Sequence, residues 1–251
     1  MSQGILDISD IPEDTKLNDK QQVQKECVIS GQSYIDTAEI KSFLKGLKYP
    51  LYFMDFETFA TAVPIYNGTS PYQNIPFKFS LHVITKPGAM VEHYEYLAEG
   101  KDDPRPAFLA QLKQDIGPKG SILVYYAAFE KSRLKELAEA FPEYQQWVDS
   151  INERIVDLNV PFRDFSYYHP QQLGSSSLKH VLPVLTGLSY GEMDIGEGNT
   201  ASLKYMEAAF GSMPIEERQK IRTDLLTYCG QDSGGMIEIL RKLQELIARS
   251  T

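Results

Sequence analysis

The sequence predicts an α/β fold in which a mixed five-stranded sheet is flanked by helices. From Tyr49 onward it reads as strand, strand, strand, then helix, strand and helices, an order that gives antiparallel pairing on one side of a sheet and parallel pairing on the other. Lys86-Pro87-Gly88-Ala89 supplies a hairpin turn between the second and third strands. The 251 residues, 42% of them hydrophobic, suffice for one sizeable α/β domain or two small ones.

Residues 1–35 are rich in Asp, Glu, Lys and Gln without periodicity, and are read as a polar arm or linker. Residues 36–48 form a short N-terminal helix. Asp36 is its N-cap, Glu39 follows three residues on, and Ile40, Phe43, Leu44 and Leu47 line one face. Residues 49–251 form the main domain. Its strands are expected at 51–57, 77–85, 91–97 and 121–126, with Asp157-Leu158 in a fifth strand or its exit. Helices at about 104–116 and about 129–140 bracket the fourth strand. A loop rich in Tyr, Pro and Ser covers 163–177, and a helix follows at about 177–186. The chain closes with an amphipathic helix of about 30 residues from near Glu216, broken near Gly230 or Gly234-Gly235 because glycine is a poor helix former.

Composition excludes several classes. With 25 basic against 34 acidic residues the net charge is −9, so there is no basic footprint for coating duplex nucleic acid. A nuclease is still compatible with that balance, because bound metal ions are then the largest charges at the phosphates. No apolar run approaches the ~20 residues that span a bilayer, and Asp7, Asp10, Glu13 and Asp14 are unlike a signal peptide. The expectation is a cytoplasmic protein with no membrane partner. Cys27 and Cys229 stand far apart, which suits reduced thiols and signals neither a disulfide scaffold nor a Cys-rich metal cluster.

Chemistry concentrates in three places. In Tyr52-Phe53-Met54-Asp55-Phe56-Glu57-Thr58-Phe59, strand alternation puts Asp55 and Glu57 on one face and Met54 and Phe56 on the other. Two acids in an apolar strand call for a cation, since unpaired buried carboxylates are unfavourable; alone, such a pair is more often solvated beyond a strand end. Tyr228 and Asp232 lie four apart on the final helix and so share a face. Glu130 follows the strand ending at Tyr126 and occupies the first turn of a helix, where the macrodipole by itself favours an acid.

Acid-x-acid on the first strand, an acid after a later strand, and Tyr-x-x-x-Asp on a C-terminal helix resemble the DEDD, or proofreading-type, 3′→5′ exonuclease superfamily in its tyrosine-bearing branch. The stretch from Tyr49 to about Leu243 is similar to an uncharacterised bacterial domain family assigned to that superfamily. The segments carrying this likeness include Pro71-Tyr72-Gln73-Asn74-Ile75-Pro76-Phe77, Phe79-Ser80-Leu81-His82, Ile155-Val156-Asp157-Leu158 and Ser176-Ser177-Leu178-Lys179-His180-Val181-Leu182-Pro183. In that family the domain usually ends a longer polypeptide, which implies that this chain is a fragment whose partners include other domains of its parent.

The resemblance implies a ribonuclease H-like fold over residues 49–251 and a two-metal phosphodiesterase that uses Mg²⁺ or Mn²⁺. It would release nucleoside 5′-monophosphates from single-stranded ends of DNA or RNA. Asp55 would bridge both ions, Glu57 and Asp232 would complete one metal's ligands, and Tyr228 would orient the attacking water. Glu130 takes the slot where the superfamily usually has Asp, with Asp157 as the alternative fourth acid. Because of that departure and of Gly234-Gly235, an inactive nuclease-like module that binds nucleic-acid ends or a protein is the alternative function. A phosphodiesterase acting on small nucleotides is a third. Oxygen donors select Mg²⁺ or Mn²⁺ over zinc, and Tyr228, with an ordinary pKa near 10, should stay protonated as a positioner.

Other candidates have structural explanations. His82, His93, His169 and His180 show no paired helix spacing. Gly174-Ser175-Ser176-Ser177 lacks a hydrolase elbow and should cap the helix beginning at Leu178, with Ser177, Lys179 and His180 as a substrate-binding set at its N-terminus in the alternative reading. Tyr66, Tyr72, Phe77, Tyr167 and Tyr168 are expected mostly in core or rim packing, with base stacking as the alternative.

Overall fold

A computed structural model describes residues 4–189, 195 and 197–249. Along the chain the elements are α1 (Asp19–Ser30), β1 (Tyr34–Ile35), α2 (Thr37–Lys45), β2 (Leu51–Phe59), β3 (Ile75–Ile84), β4 (Glu92–Leu97), α3 (Arg105–Asp115), β5 (Ser121–Val124), α4 (Ala127–Ala140), α5 (Gln145–Asn152), β6 (Ile155–Asp157), α6 (Val160–Arg163), β7 (Tyr167–Tyr168), α7 (Leu178–Thr186), α8 (Gly198–Phe210) and α9 (Ile215–Arg249). They divide between two compact units, one comprising Met1–Gly46, Asn159–Ser189 and Glu238–Thr251, the other Leu47–Leu158 and Tyr190–Ile237.

The second unit holds the expected mixed sheet. Its five strands run in the order β4-β3-β2-β5-β6. β4, β3 and β2 pair antiparallel, while β2, β5 and β6 pair parallel. The entry to β5 depends on Gly120, whose φ of 96° and close approach leave no room for a side chain: a Cβ there would stand 2.0 Å from the Pro50 carbonyl oxygen. Ser121 then donates its amide to Lys48 O at 2.7 Å, which sets β5 beside β2.

Alternation gives this sheet two unlike faces. One carries Tyr52, Met54, Phe56, Phe79, Leu81, Val83, Ile122 and Val124, packed against Phe108, Leu109 and Leu112 of α3, Leu134, Leu137 and Ala138 of α4, and Val148 and Ile151 of α5. Burial of these side chains supplies about 1.5–3 kcal/mol each. The other face carries the acids.

The first unit is smaller. β1 and β7 pair antiparallel, Tyr34 with Tyr168 and Ile35 with Tyr167, and Asp36 N donates to Ser166 O at 2.7 Å. α2 starts as expected, Asp36 Oδ1 accepting from the amides of Ala38 and Glu39, each at 3.0 Å.

Several expectations need correction. Residues 1–35, read as a polar arm, contain α1, closed by a reciprocal Asn18–Gln21 capping box and ended by Gly31 in the left-handed region. α5, β1, β7 and α8 were not foreseen at all. The final helix is unbroken: α9 runs 35 residues through both suspected glycine sites. Packing overrides propensity there, because the helix buries Leu225, Cys229, Ser233 and Met236, while a Cβ at Gly230 or Gly234 would meet His93 or His82 only at ordinary contact distance, 3.8 and 3.7 Å. Among the described residues no helix is long and apolar enough to cross a membrane.

Candidate metal centre

β2 and β3 generate the polar face by register. Asp55 lies opposite Ser80, Glu57 opposite Lys78 and Phe53 opposite His82, so their side chains share one side of the sheet. β4 extends it, with His93 opposite His82 and Glu95 opposite Ser80. A register shift between Glu57 and Thr58 ends the regular pairing at the second acid, as bulges do where a strand re-aims its side chains.

α9 covers this face with one stripe. Leu225, Tyr228, Cys229, Asp232 and Ser233 recur at helical spacing and are all buried. Its tie to the strand is direct: the Cys229 thiol lies 3.3 Å from Asp55 Oδ2, positioned to donate to it. One ligand atom from each of Asp55, Glu57 and Cys229 lies within 4.8 Å of the others. Sequence reasoning had set Cys229 aside as an ordinary reduced thiol. Its signal was present, since Cys229 lies between Tyr228 and Asp232 on the same stripe of α9.

Asp232 completes the acid group. After burial, its carboxylate is the largest influence pushing the Asp55 carboxyl well above the usual range, against which the Cys229 thiol and the Lys78 ammonium pull down. Burial and the charges of Asp232, Glu57 and Asp55 likewise raise Tyr228, so its hydroxyl stays protonated. Burial and Asp55 raise the Cys229 thiol.

Glu130 enters from the first turn of α4. It is only 3% exposed, and its Oε2 has no hydrogen-bond partner. Burial first and Asp55 second push its carboxyl up to about 9. Asp157, the other candidate for the fourth acid, ends β6 and accepts the Tyr126 amide at 2.9 Å. That bond fixes Tyr126 at φ 76°, a left-handed bend that ends β5 at Val124 and starts α4 at Ala127, two residues earlier than expected. Asp157 therefore shapes the turn that delivers Glu130.

Lys78 and a serine–histidine network were missed. Lys78 is fully buried; its ammonium donates to Leu225 O at 2.7 Å and lies 3.8 Å from Glu95. Burial lowers its pKa while Cys229, Glu95, Glu57 and Asp55 draw it up. His82 and His93 stack with centroids 4.0 Å apart. Ser233 Oγ bridges His82 Nδ1 at 2.9 Å and Ser80 Oγ at 2.7 Å, and Ser80 Oγ reaches His93 Nε2 at 2.8 Å. The structural role expected for these two histidines fits that network. The signal for all of them was the polar parity of β3: Lys78, Ser80 and His82 alternate with Phe77, Phe79, Leu81 and Val83.

The expected substrate-binding set falls in the other unit. Ser177 occupies the N-cap position of α7 without bonding a backbone amide, and its hydroxyl pairs instead with His180 Nδ1 at 2.8 Å. His169 Nδ1 accepts the Gln171 amide at 3.1 Å, a structural role. Of the aromatic candidates, Phe77, Tyr167 and Tyr168 are buried, whereas Tyr72 is exposed.

The chain is 27% identical over 228 residues to the "Uncharacterized protein MG366 homolog" of Mycoplasma pneumoniae, a match covering 83% of this chain and 34% of that protein. It is 24% identical over 243 residues to the "Uncharacterized protein MG366" of Mycoplasma genitalium, covering 84% and 34%. A third relative, the "Uncharacterized protein UU173" of Ureaplasma parvum, is 29% identical over 148 residues, covering 52% and 21%. The chain thus spans about a third of the length of the two Mycoplasma relatives. No solved structure matches it. A family model matches residues 52–177, which take in Asp55, Glu57, Glu130 and Asp157, and the chain belongs to that family, described as "Domain of unknown function (DUF2779)".

Proposed function

We propose that the sheet unit is a metal-dependent 3′→5′ exonuclease of the tyrosine-bearing DEDD branch with a ribonuclease H-like fold, releasing nucleoside 5′-monophosphates from single-stranded DNA or RNA ends. The observation that carries this reading is the convergence of Asp55 and Glu57 from β2 with Tyr228, Cys229 and Asp232 from one stripe of α9. The mixed sheet with helices packed on it supports the fold assignment.

The residues fit a divalent cation. Like charges about 4 Å apart repel by on the order of 4 kcal/mol at an effective dielectric near 20, and the carboxyls of Asp55 and Glu130 are raised by burial first and by a neighbouring acid's charge second. Glu130 Oε2, buried and unpartnered, is a donor waiting for an acceptor of its lone pairs. Asp55, Glu57 and Asp232 would hold the ions, with Glu130 contributing through water. Bound Mg²⁺ or Mn²⁺ would supply Lewis acidity and charge neutralisation at the scissile phosphate.

The chain's own groups do the rest. Tyr228, held protonated, offers a hydroxyl that orients a water without acting as a strong base. Lys78, pinned on Leu225 O, keeps the floor beneath the acids fixed and offsets part of their charge. α9, tied to the sheet through Cys229, Ser233 and the Leu225 carbonyl, brings Tyr228 and Asp232 to the strand acids.

Incubation with 3′- and 5′-labelled single strands of DNA and RNA tests this reading. With Mn²⁺ or Mg²⁺, 3′-labelled strands should yield labelled mononucleotide and 5′-labelled strands a shortening ladder, both abolished by chelator and by Asp55→Ala. Intact strands under every condition would refute it.

A further inference from the structure

We propose that Cys229 is itself a metal ligand, so that the cation site formed with Asp55 and Glu57 is a mixed thiolate–carboxylate site that prefers borderline ions such as Zn²⁺, Co²⁺ or Fe²⁺ over Mg²⁺. The inference rests on the proposed metal-dependent function but changes which ion serves it.

Geometry supports it first. An oxygen and a sulfur held at about 2.0–2.2 Å and about 2.3 Å by a tetrahedral ion stand about 3.5 Å apart. Cys229 Sγ and Asp55 Oδ2 are 3.3 Å apart already, and a Glu57 oxygen lies within 4.8 Å of both. The three donors need little movement to close on one ion.

A second observation points to a ligand independently. Glu130 is 3% exposed with Oε2 unpartnered, and Asp55 is the largest charge acting on it. Glu130 stands outside the 4.8 Å group, yet it adds a buried carboxylate oxygen without a hydrogen-bond partner that is electrostatically coupled to Asp55, and a cation held at Asp55 would compensate it.

The chemistry then selects the metal. Thiolate is a soft donor that favours later first-row ions, whereas Mg²⁺ takes hard oxygen ligands almost exclusively. On binding, the Cys229 S–H bond breaks, its proton leaves to solvent and the sulfur lone pair goes to the metal, so one proton is released per thiolate bond. Nothing is oxidised or reduced.

Cobalt titration of the whole chain reads the bond directly. Co²⁺ should bind with a near-ultraviolet sulfur-to-cobalt charge-transfer band that Cys229→Ser abolishes while calorimetry still detects Co²⁺ binding, and the preference for Zn²⁺ over Mg²⁺ should fall at least about tenfold in that variant. The chain has only two cysteines, so Cys27→Ser must keep the band; that variant decides the matter even where Cys229→Ser fails to fold. Calorimetric Co²⁺ binding without the band overturns the thiolate proposal and leaves the metal site standing. No Co²⁺ binding at all overturns both.

Discussion

The two faces of the sheet are built from the same strands for opposite ends. On β2, Met54 and Phe56 point into a packed apolar layer with α3, α4 and α5, while Asp55 and Glu57, one residue along, point at Cys229 and the acid stripe of α9. The apolar face stabilises the fold through burial. The acid face gathers carboxyls and a thiol held above their usual pKa, by burial first and by one another's charge second. The difference teaches that the α9 side adds buried acids to an apolar cluster of its own, which includes Phe59, Leu225 and Tyr228, so stability is shared by both sides while the acids lie on one.

Paired substitutions should separate the two most sharply. Phe79 is fully buried, with its ring edge-on to Phe108 at 5.4 Å, so Phe79→Ala should lower unfolding free energy by about 3–5 kcal/mol. The fraction that remains folded should hydrolyse strands normally. Asp55→Asn should do the reverse: hydrolysis lost to background, and metal-free stability unchanged or higher because a carboxyl disfavoured by burial and by Asp232 has gone. Urea unfolding and single-turnover assays on both variants measure this. Loss of activity per folded molecule in Phe79→Ala would break the division.

Tyr228→Phe sharpens the acid face without emptying it. Removing one positioned hydroxyl while keeping the acids should slow hydrolysis by about 10²–10³, with Mn²⁺ affinity nearly unchanged. Wild-type turnover would make Tyr228 a packing residue and end the tyrosine-branch assignment.

Much of this contrast was legible from alternation alone. The parity of Met54, Phe56, Asp55 and Glu57 required only a strand, and Tyr228 with Asp232 required only a helix. Lys78, Ser80 and His82 required the β2–β3 register, which a long-range pairing fixes. Cys229 was legible as a position on the acid stripe but was judged by cysteine count. α1 was hidden because its single buried residue, Cys27, leaves no apolar stripe to find. The supposed break in α9 failed because helix propensity is worth about 1 kcal/mol per glycine, less than burial of flanking side chains such as Leu225 and Met236 supplies.

A pH slope probes the acid face without any ion. Glu130 rises from the usual 4.5 to about 9 when folded, so the folded chain holds a proton that the unfolded chain has shed. That stabilisation is complete below pH 4.5 and is lost as pH rises toward about 9. His82, held down to about 4 from 6.5, acts oppositely, its share being present above 6.5 and lost below it. Between pH 6.5 and 9, therefore, metal-free stability should fall by up to about 1.4 kcal/mol per pH unit for each such carboxyl. Glu130→Gln should flatten that fall by about one proton, as seen in urea midpoints. An unchanged slope would show that Glu130 is ionised in the folded chain.

The central claim is that the acid face is made to hold cations, and the melting temperature of the metal-free chain under Mn²⁺ titration tests it most directly. Ion binding to the folded face stabilises by mass action, about 2.7 kcal/mol at a hundred times the dissociation constant. The account predicts a saturable rise for the native chain and little for Asp55→Asn, with Phe79→Ala rising in parallel from its lower start. A melting temperature indifferent to millimolar Mn²⁺ in the native chain would contradict it.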